Sequence, residues 1–292
     1  MVPTDPGRIA LGKNATPEQI AAYDHEQGLD RPVVTRYFYW FGNFARGQWG
    51  TSVLSQQPVS DLVVPRIARS VVLGFLAMLI AVPAAFLLGV FSAQRTGRPV
   101  DGVISFSALF VNSLPEFIVA VTLLVIFGVK AAVLPIESSG AAFGTGMARV
   151  EAYVLPVLTL AIVLTPYITR MVRANVRDIA GKPYIRSATL RGVSRRRTVW
   201  RHVVPNSSLP VINVVALSMA ELVGGVVVIE TVFGFPGIGQ LLVQSVGSRD
   251  IPTVQAIALI VGIGVVGLNF LADAGVLALN PQLRRASASQ RS

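Results

Sequence analysis

The chain has 292 residues, 52% of them hydrophobic and only 14% charged, and its mean hydropathy of +0.61 excludes an ordinary water-soluble domain. The net charge is nevertheless +10 and the isoelectric point about 10.8, a balance that on its own would point to nucleic acid. With no cysteine and only two histidines, His25 and His202, disulfide frameworks, cysteine-ligated metals and His-rich metal sites are excluded.

Residues 1–65 form the first segment. Thr16, Pro17 and Gln19 supply an N-cap, a first-turn proline and the N3 partner of a capping box, which predicts a helix to about Gln27, stopped by Gly28. Tyr37, Phe38, Tyr39, Trp40, Phe41, Phe44 and Trp49 then crowd a window of thirteen residues. Rings concentrate where one edge is wet, which places this stretch along the outer membrane interface; a small core packed on the outer loops is the alternative. Gly7, Gly12 and Lys13 approach a phosphate-binding loop, but Asn14 stands where Ser or Thr would hold magnesium, and no strand precedes Gly7. Asn14-Ala15-Thr16 and Asn206-Ser207-Ser208 match the glycosylation pattern, which is too short to carry weight.

Residues 66–292 read as a transmembrane domain. Five stretches reach the ~20 mostly apolar residues needed to cross ~30 Å of hydrocarbon, at 70–91, 103–129, 152–171, 209–229 and 254–279. The predicted fold class is all-α, a polytopic membrane protein. Pro83, Pro115, Pro156 and Pro166 interrupt the spans, which lipid-embedded helices tolerate because neighbouring groups re-satisfy the freed carbonyls. Gly224-Gly225 and Gly262, Gly264 and Gly267 resemble close helix-contact faces, either within the chain or toward a partner.

Charge sets the orientation, because cytoplasmic loops carry the Lys/Arg excess. The 95–101 connection, the long loop from Arg170 to Arg201 and the C-terminal tail together hold fifteen basic and two acidic groups, a net +13. Residues 1–69 and the remaining two connections sum to +1, and four acids, Glu116, Glu221, Glu230 and Asp273, lie within spans. The C-terminus is therefore expected in the cytoplasm and residues 1–65 outside it. A tail of nearly 70 residues would then cross the membrane with no apolar h-region ahead of it, so a further N-terminal span is expected to be absent from this chain through start-site choice or processing.

The loop at 173–208 is the most informative segment. It reads Tyr184-Ile185-Arg186-Ser187-Ala188-Thr189-Leu190-Arg191-Gly192-Val193-Ser194, followed by three arginines and Trp200-Arg201-His202-Val203-Val204-Pro205-Asn206. Taken as composition, it is also compatible with arginines that only touch lipid phosphates. At these residues the sequence resembles the permease subunits of ATP-binding cassette importers, in particular the dipeptide/oligopeptide family (the B-type subunit). That family's loop commonly reads Tyr-x-Arg-Thr-Ala-x3-Gly-x-Ser, with His-x-x-x-Asn some ten residues on. Here Arg186 stands where other branches carry an acid. Further matches run in order along nearly the whole chain: Pro3-Thr4-Asp5-Pro6, Leu29-Asp30-Arg31-Pro32, Trp49-Gly50-Thr51-Ser52, Glu230-Thr231-Val232-Phe233, Pro236-Gly237-Ile238-Gly239, Arg249-Asp250, Asp273, Asn280 and Pro281.

The resemblance implies an importer-type transmembrane domain of six spans, five in this chain, in the inner (plasma) membrane. It implies a second homologous permease subunit, two ATPase subunits that bind the ATP and magnesium, and an extracytoplasmic substrate-binding protein, with no cofactor on this chain. The ATPase-coupling loop would include Tyr184, Arg186, Ser187, Ala188, Arg191, Gly192, His202 and Asn206. Ala188 and Gly192 would permit close backbone approach in an ATPase cleft, and Arg186 and Arg191 would pair with acids there. Charge in lipid costs at least about 2.5 kcal/mol on insertion scales and signals a polar cavity or partner. Glu116 lies one turn from Asn112 and beside Pro115, so both share a face near a kink; Glu221 is near mid-span. Asn112, Glu116 and Glu221 are thus the candidate substrate pathway, where a peptide's terminal amine would meet an acid; an interhelical hydrogen bond is the alternative. Glu230 and Asp273, toward span ends, read as loop anchors, and the Phe233–Gly239 turn is expected to face outside, toward the binding protein. The resemblance covers importers of dipeptides, longer peptides, nickel complexes and some sugars. Outside the family, a secondary transporter is the main alternative class and a membrane-anchored nucleic-acid binder a remote one; no motif supports an enzyme.

Overall fold

A computed structural model describes residues 16–26 and 32–279. Its longer helices, in chain order, are α1 (Pro17–Glu26), α2 (Val33–Ala45), α3 (Val59–Gln94), α4 (Pro99–Asn112), α5 (Glu116–Leu123), α6 (Met147–Ala180), α7 (Pro183–Leu190), α8 (Val204–Val232), α9 (Ile238–Gly247) and α10 (Ile251–Leu279); a π-helical stretch, Leu124–Lys130, continues α5, and short helical pieces lie at Gly140–Phe143, Arg195–Thr198 and Val199–Val203. Among the described residues the only β-bridge joins Thr51 and Pro58. The motif residues numbered 3–14 and 28–31, with Asn280 and Pro281, lie outside the described residues, as do the side chains of Arg186, Ala188 and Asp273. The chain divides into two compact units, Met1–Ile67 with Leu241–Ile260, and Ala68–Gln240 with Val261–Ser292.

In the first unit, α1 begins as a reciprocal capping box. The Gln19 amide N–H donates to Thr16 Oγ1 at 3.3 Å, and the Thr16 N–H donates to Gln19 Oε1 at 3.0 Å, so two otherwise orphaned donors are satisfied. Along α2 the aromatic window divides by face. Tyr37, Phe38, Tyr39 and Phe41 are exposed, while Trp40 and Phe44 are half-buried and Phe44 stacks on Trp49 at 5.1 Å. Asp250 closes the unit. Its carboxylate accepts from Ser52 Oγ, from the Val53 N–H at 3.2 Å and from Thr253 Oγ1 at 2.8 Å, just ahead of the first turn of α10.

The second unit holds most of the long apolar helices, with α3 and α10 beginning in the first. Among the described residues, α3, α6 and the Ile251–Leu271 part of α10 are each long and apolar enough to cross a membrane, and α4 and α5 qualify together as a broken pair. The stretch expected at 209–229 lies within α8, an unbroken helix of 29 residues. The stretch expected as one span at 103–129 is two helices bent by 102°. The cause is local: Pro115 has no N–H to donate and disfavours helical geometry at Leu114, and Ser113 Oγ donates to the Leu109 carbonyl at 2.8 Å as α4 ends.

Lipid supplies little hydrophobic drive between helices, so their association rests on close packing at small residues. Leu73, Ala77, Ala81 and Ala85, spaced one turn apart on α3, are fully buried, and Gly89 continues the row. A Cβ at Gly89 would lie 2.7 Å from Val172 Cβ and 2.8 Å from the Thr169 carbonyl, and one at Gly74 would lie 2.9 Å from Leu222 Cδ2. Small residues on α3 therefore set how near α6 and α8 approach. Within α6, Thr159 and Thr165 donate to the carbonyls of Leu155 and Ala161, at 2.8 and 2.6 Å, so these hydroxyls stay satisfied beside Pro156 and Pro166. A bidentate pair ties the α3–α4 turn to α6: Arg173 Nε and Nη2 donate to Asp101 at 2.7 and 2.8 Å, and Ser92 Oγ donates to the same carboxylate at 2.6 Å.

Candidate functional site

The break between α4 and α5 opens a cavity of about 470 Å³, within the range of roughly 300–1,000 Å³ usual for small-molecule sites. Asn112 enters it from the end of α4, Glu116 from the first turn of α5, Tyr167 from α6, and Ser218 and Glu221 from α8. Asn112 and Glu116 do not share the face of one helix as expected, because Asn112 ends α4 and Glu116 begins α5 across the 102° bend; with Glu221, over a hundred residues further along, they still line one cavity. Glu116 is half-buried and Asn112 and Glu221 are exposed. On α8 the lining positions 218, 221, 222 and 225 follow the i, i+3, i+4, i+7 spacing of one helical face. Gly225 makes room for the acid, because a Cβ there would lie 2.9 Å from Glu116 Oε2. No lining residue is basic, so the cavity carries two carboxylates and suits a cationic or hydrogen-bond-donating group. Tyr167 and Ser218 were not legible in the sequence, since a tyrosine and a serine inside apolar runs carry no charge signal.

Of the glycine faces expected to make helix contacts, Gly225 meets α5 within the chain. Gly224, Gly262, Gly264 and Gly267 have nothing within 4 Å of an added Cβ.

Glu230 forms a second buried node. Fully buried, its carboxylate accepts from Ser70 Oγ of α3, from the Gly239 N–H at 2.7 Å and from the Gln240 N–H at 3.2 Å. Ser70 Oγ in turn accepts from the Ile238 N–H at 2.9 Å, so three orphan donors at the start of α9 are satisfied. A side chain at Gly237 would overlap the Glu230 carboxylate, and one at Gly239 would reach within 2.5 Å of Val227 Cα. Arg69 Nε donates to the Pro236 carbonyl at 2.7 Å, and Phe235 packs edge-on against Tyr153 at 5.0 Å. Within the Phe233–Gly239 turn, Phe233, Phe235, Pro236, Gly237 and Gly239 are buried, drawn toward the chain's own core by these bonds. Glu230 does anchor a loop.

In the loop at 173–208, Ile185 is the buried residue of α7 among its described side chains. Ile185 is buried in a cluster with Val172, Val176, Ile179, Val199 and Val203, while Tyr184 and Leu190 are exposed, Leu190 at 88%. Ser187 Oγ donates to the Pro183 carbonyl at 3.0 Å. Arg191 and Gly192 form the exposed turn that ends α7. Gly192 has φ +82°, and a Cβ there would meet nothing within 4 Å. Its place is therefore set by the left-handed backbone the turn requires, rather than by close packing within the chain. His202 and Asn206 lie one turn apart, and Asn206 Nδ2 donates to the His202 carbonyl at 2.6 Å.

Residues 85–285 match the family described as "Binding-protein-dependent transport system inner membrane component", and residues 1–74 match its N-terminal companion. A probable peptide ABC transporter permease protein, y4tP, of Sinorhizobium fredii is 29% identical over 97% of this chain and 91% of its own length. The glutathione transport system permease protein GsiC of Escherichia coli (strain K12) is 31% identical over 97% of this chain and 90% of its own. Among solved structures, an amino acid ABC transporter chain superposes with a TM-score of 0.57 at 19% identity, over 75% of this chain and 95% of that one. The MetNI methionine ABC transporter in an inward-facing conformation gives 0.57 at 21% identity, over 75% and 96%; at such identities the likeness speaks to the fold. The chain belongs to the inner-membrane-component family of binding-protein-dependent transport systems and is the permease subunit of an ATP-binding cassette importer.

Proposed function

We propose that this chain forms half of an import pathway for small peptides or peptide-like thiols, paired with a second permease chain and driven by two ATPase subunits that hold the ATP and magnesium. An extracytoplasmic binding protein delivers the substrate, lipids surround the spans, and the C-terminus and the 173–208 loop face the cytoplasm, as the +13 charge excess favours. The substrate class is supported by relatives at about 30% identity named for peptide and glutathione transport.

The observation that carries the reading is the cavity at the α4–α5 break, where Asn112, Glu116 and Glu221 converge among membrane helices. A peptide's α-ammonium would find carboxylate partners there, and the amide of Asn112 would bond a peptide group. Transport needs two arrangements of the paired chains, biased by nucleotide on one side and by loaded binding protein on the other. The exposed α7 and its Gly192 turn are the proposed ATPase contact, with Tyr184 and Arg191 turned outward.

Glu116→Gln and Glu221→Gln in the assembled importer test the pathway. Each is expected to lower uptake severalfold while leaving the binding protein's ligand affinity untouched. Unchanged rate and substrate profile in both variants would remove the pathway role.

A further inference from the structure

We propose that the hollow formed by Ser194, Arg197, Trp200, Arg201 and Pro205 is a binding site for the phosphate headgroup of an anionic phospholipid. Its position along the chain argues for lipid first. The hollow is built from residues 194–205, and α8, which carries the 209–229 apolar run, begins at Val204. Side chains at the mouth of a membrane helix stand at headgroup depth.

The chemistry agrees. Arg197 and Arg201 are one helical turn apart and exposed, and the Trp200 indole beside them is 48% exposed. Two guanidinium groups on one face offer forked donors that match phosphate oxygens, and a half-wet indole is the usual companion of the headgroup layer. No carboxylate lines the hollow, and neither arginine lies in an ion pair among the described residues. Basic hollows at the cytoplasmic ends of membrane helices are a recognised arrangement for acidic headgroups.

The loop then divides its work. The exposed edge of α7, with Tyr184, Leu190 and Arg191, is left for a protein, and the basic hollow that follows is held by the membrane. The assignment does not depend on which substrate is carried.

The chain has three tryptophans, Trp40, Trp49 and Trp200, so Trp40→Phe with Trp49→Phe leaves Trp200 as its only one, and the Trp200 signal is the difference from the same importer that also carries Trp200→Phe. The assembled importer, reconstituted with brominated phosphatidylglycerol or brominated phosphatidylcholine at equal mole fraction, is expected to show at least twofold greater Trp200 quenching by the anionic lipid. Arg197→Gln with Arg201→Gln abolishes that preference and Arg197→Lys with Arg201→Lys retains part of it. Inorganic phosphate at tens of millimolar leaves it unchanged. Equal quenching by both lipids would overturn the proposal. So would competition by free phosphate, which would make the source a soluble anion, or an absence of Trp200 quenching by either lipid in the assembled importer, which would make the hollow a protein contact. Native mass spectrometry of the unaltered importer is an independent reading: at least one anionic lipid retained, lost in the double glutamine variant, is expected, and equal retention in both would contradict it.

Discussion

Replacing Glu230 by Ala removes the acceptor shared by Ser70, Gly239 and Gln240. The Ser70 hydroxyl can rotate toward another acceptor, and it still accepts from Ile238. The two backbone N–H groups at the start of α9 cannot move without unwinding the helix. A buried donor left unpaired costs ~1–3 kcal/mol, and Gln240 is half-buried, so water recovers part of its share. A loss of about 3 kcal/mol follows. For chains of 150–250 residues each kcal/mol shifts the melting temperature by ~2–4 °C, which predicts a fall on the order of 10 °C for the detergent-solubilised protein, read by the temperature at which the monodisperse peak disappears. Glu230→Gln keeps the shape and one acceptor oxygen and should fall between parent and Ala. Ser70→Ala, which strands only the Ile238 N–H, should lose less than Glu230→Ala. A melting temperature for Glu230→Ala within about 2 °C of the parent would refute the claim that this carboxylate holds the turn.

Substitutions at four glycines separate the remaining claims. At Gly192, where φ is +82°, Asn tolerates the left-handed backbone better than Ala, and Val is strained by more than ~1 kcal/mol; ATP-driven uptake should therefore rank Gly above Asn, Ala and Val while membrane insertion stays intact, and Ala surpassing Asn would show that steric clearance decides the site. Gly89→Val forces a side chain against Val172 and the Thr169 carbonyl and should cost ~1–3 kcal/mol by overpacking; Gly102→Ala, with open space at its Cβ, should be neutral or slightly stabilising in the same melting assay. Gly225→Ala presses on the Glu116 carboxylate, so uptake should fall with little loss of stability, and adding Glu116→Asp, one methylene shorter, should recover part of it; an unaffected uptake rate would detach Gly225 from the cavity's function.

What could be read from the sequence was governed by range. The α1 capping box joins residues three apart, and Thr16, Pro17 and Gln19 encode it in full. The α4–α5 break was foreshadowed because Pro115 restricts its own neighbour, although nothing local reveals a 102° bend rather than a kink. The cavity acids were singled out one by one, since a charge within an apolar run is conspicuous. That Glu116 and Glu221 face a common space depends on how α5 and α8 pack. The packing of the Phe233–Gly239 turn was hidden for the same reason: its Gly and Pro residues announce a turn, but not that Ser70 and Arg69, more than 160 residues earlier, draw it inward. The Arg173–Asp101 pair, 72 residues apart, was counted only as loop charge.

The most direct test of the account is uptake into proteoliposomes that contain this chain, its partner permease and two ATPase subunits, with the binding protein outside and a radiolabelled tripeptide as probe. The account predicts accumulation that requires ATP hydrolysis and the binding protein, and that is lost in Gly192→Val. Accumulation driven by an ion gradient without ATPase subunits would contradict it.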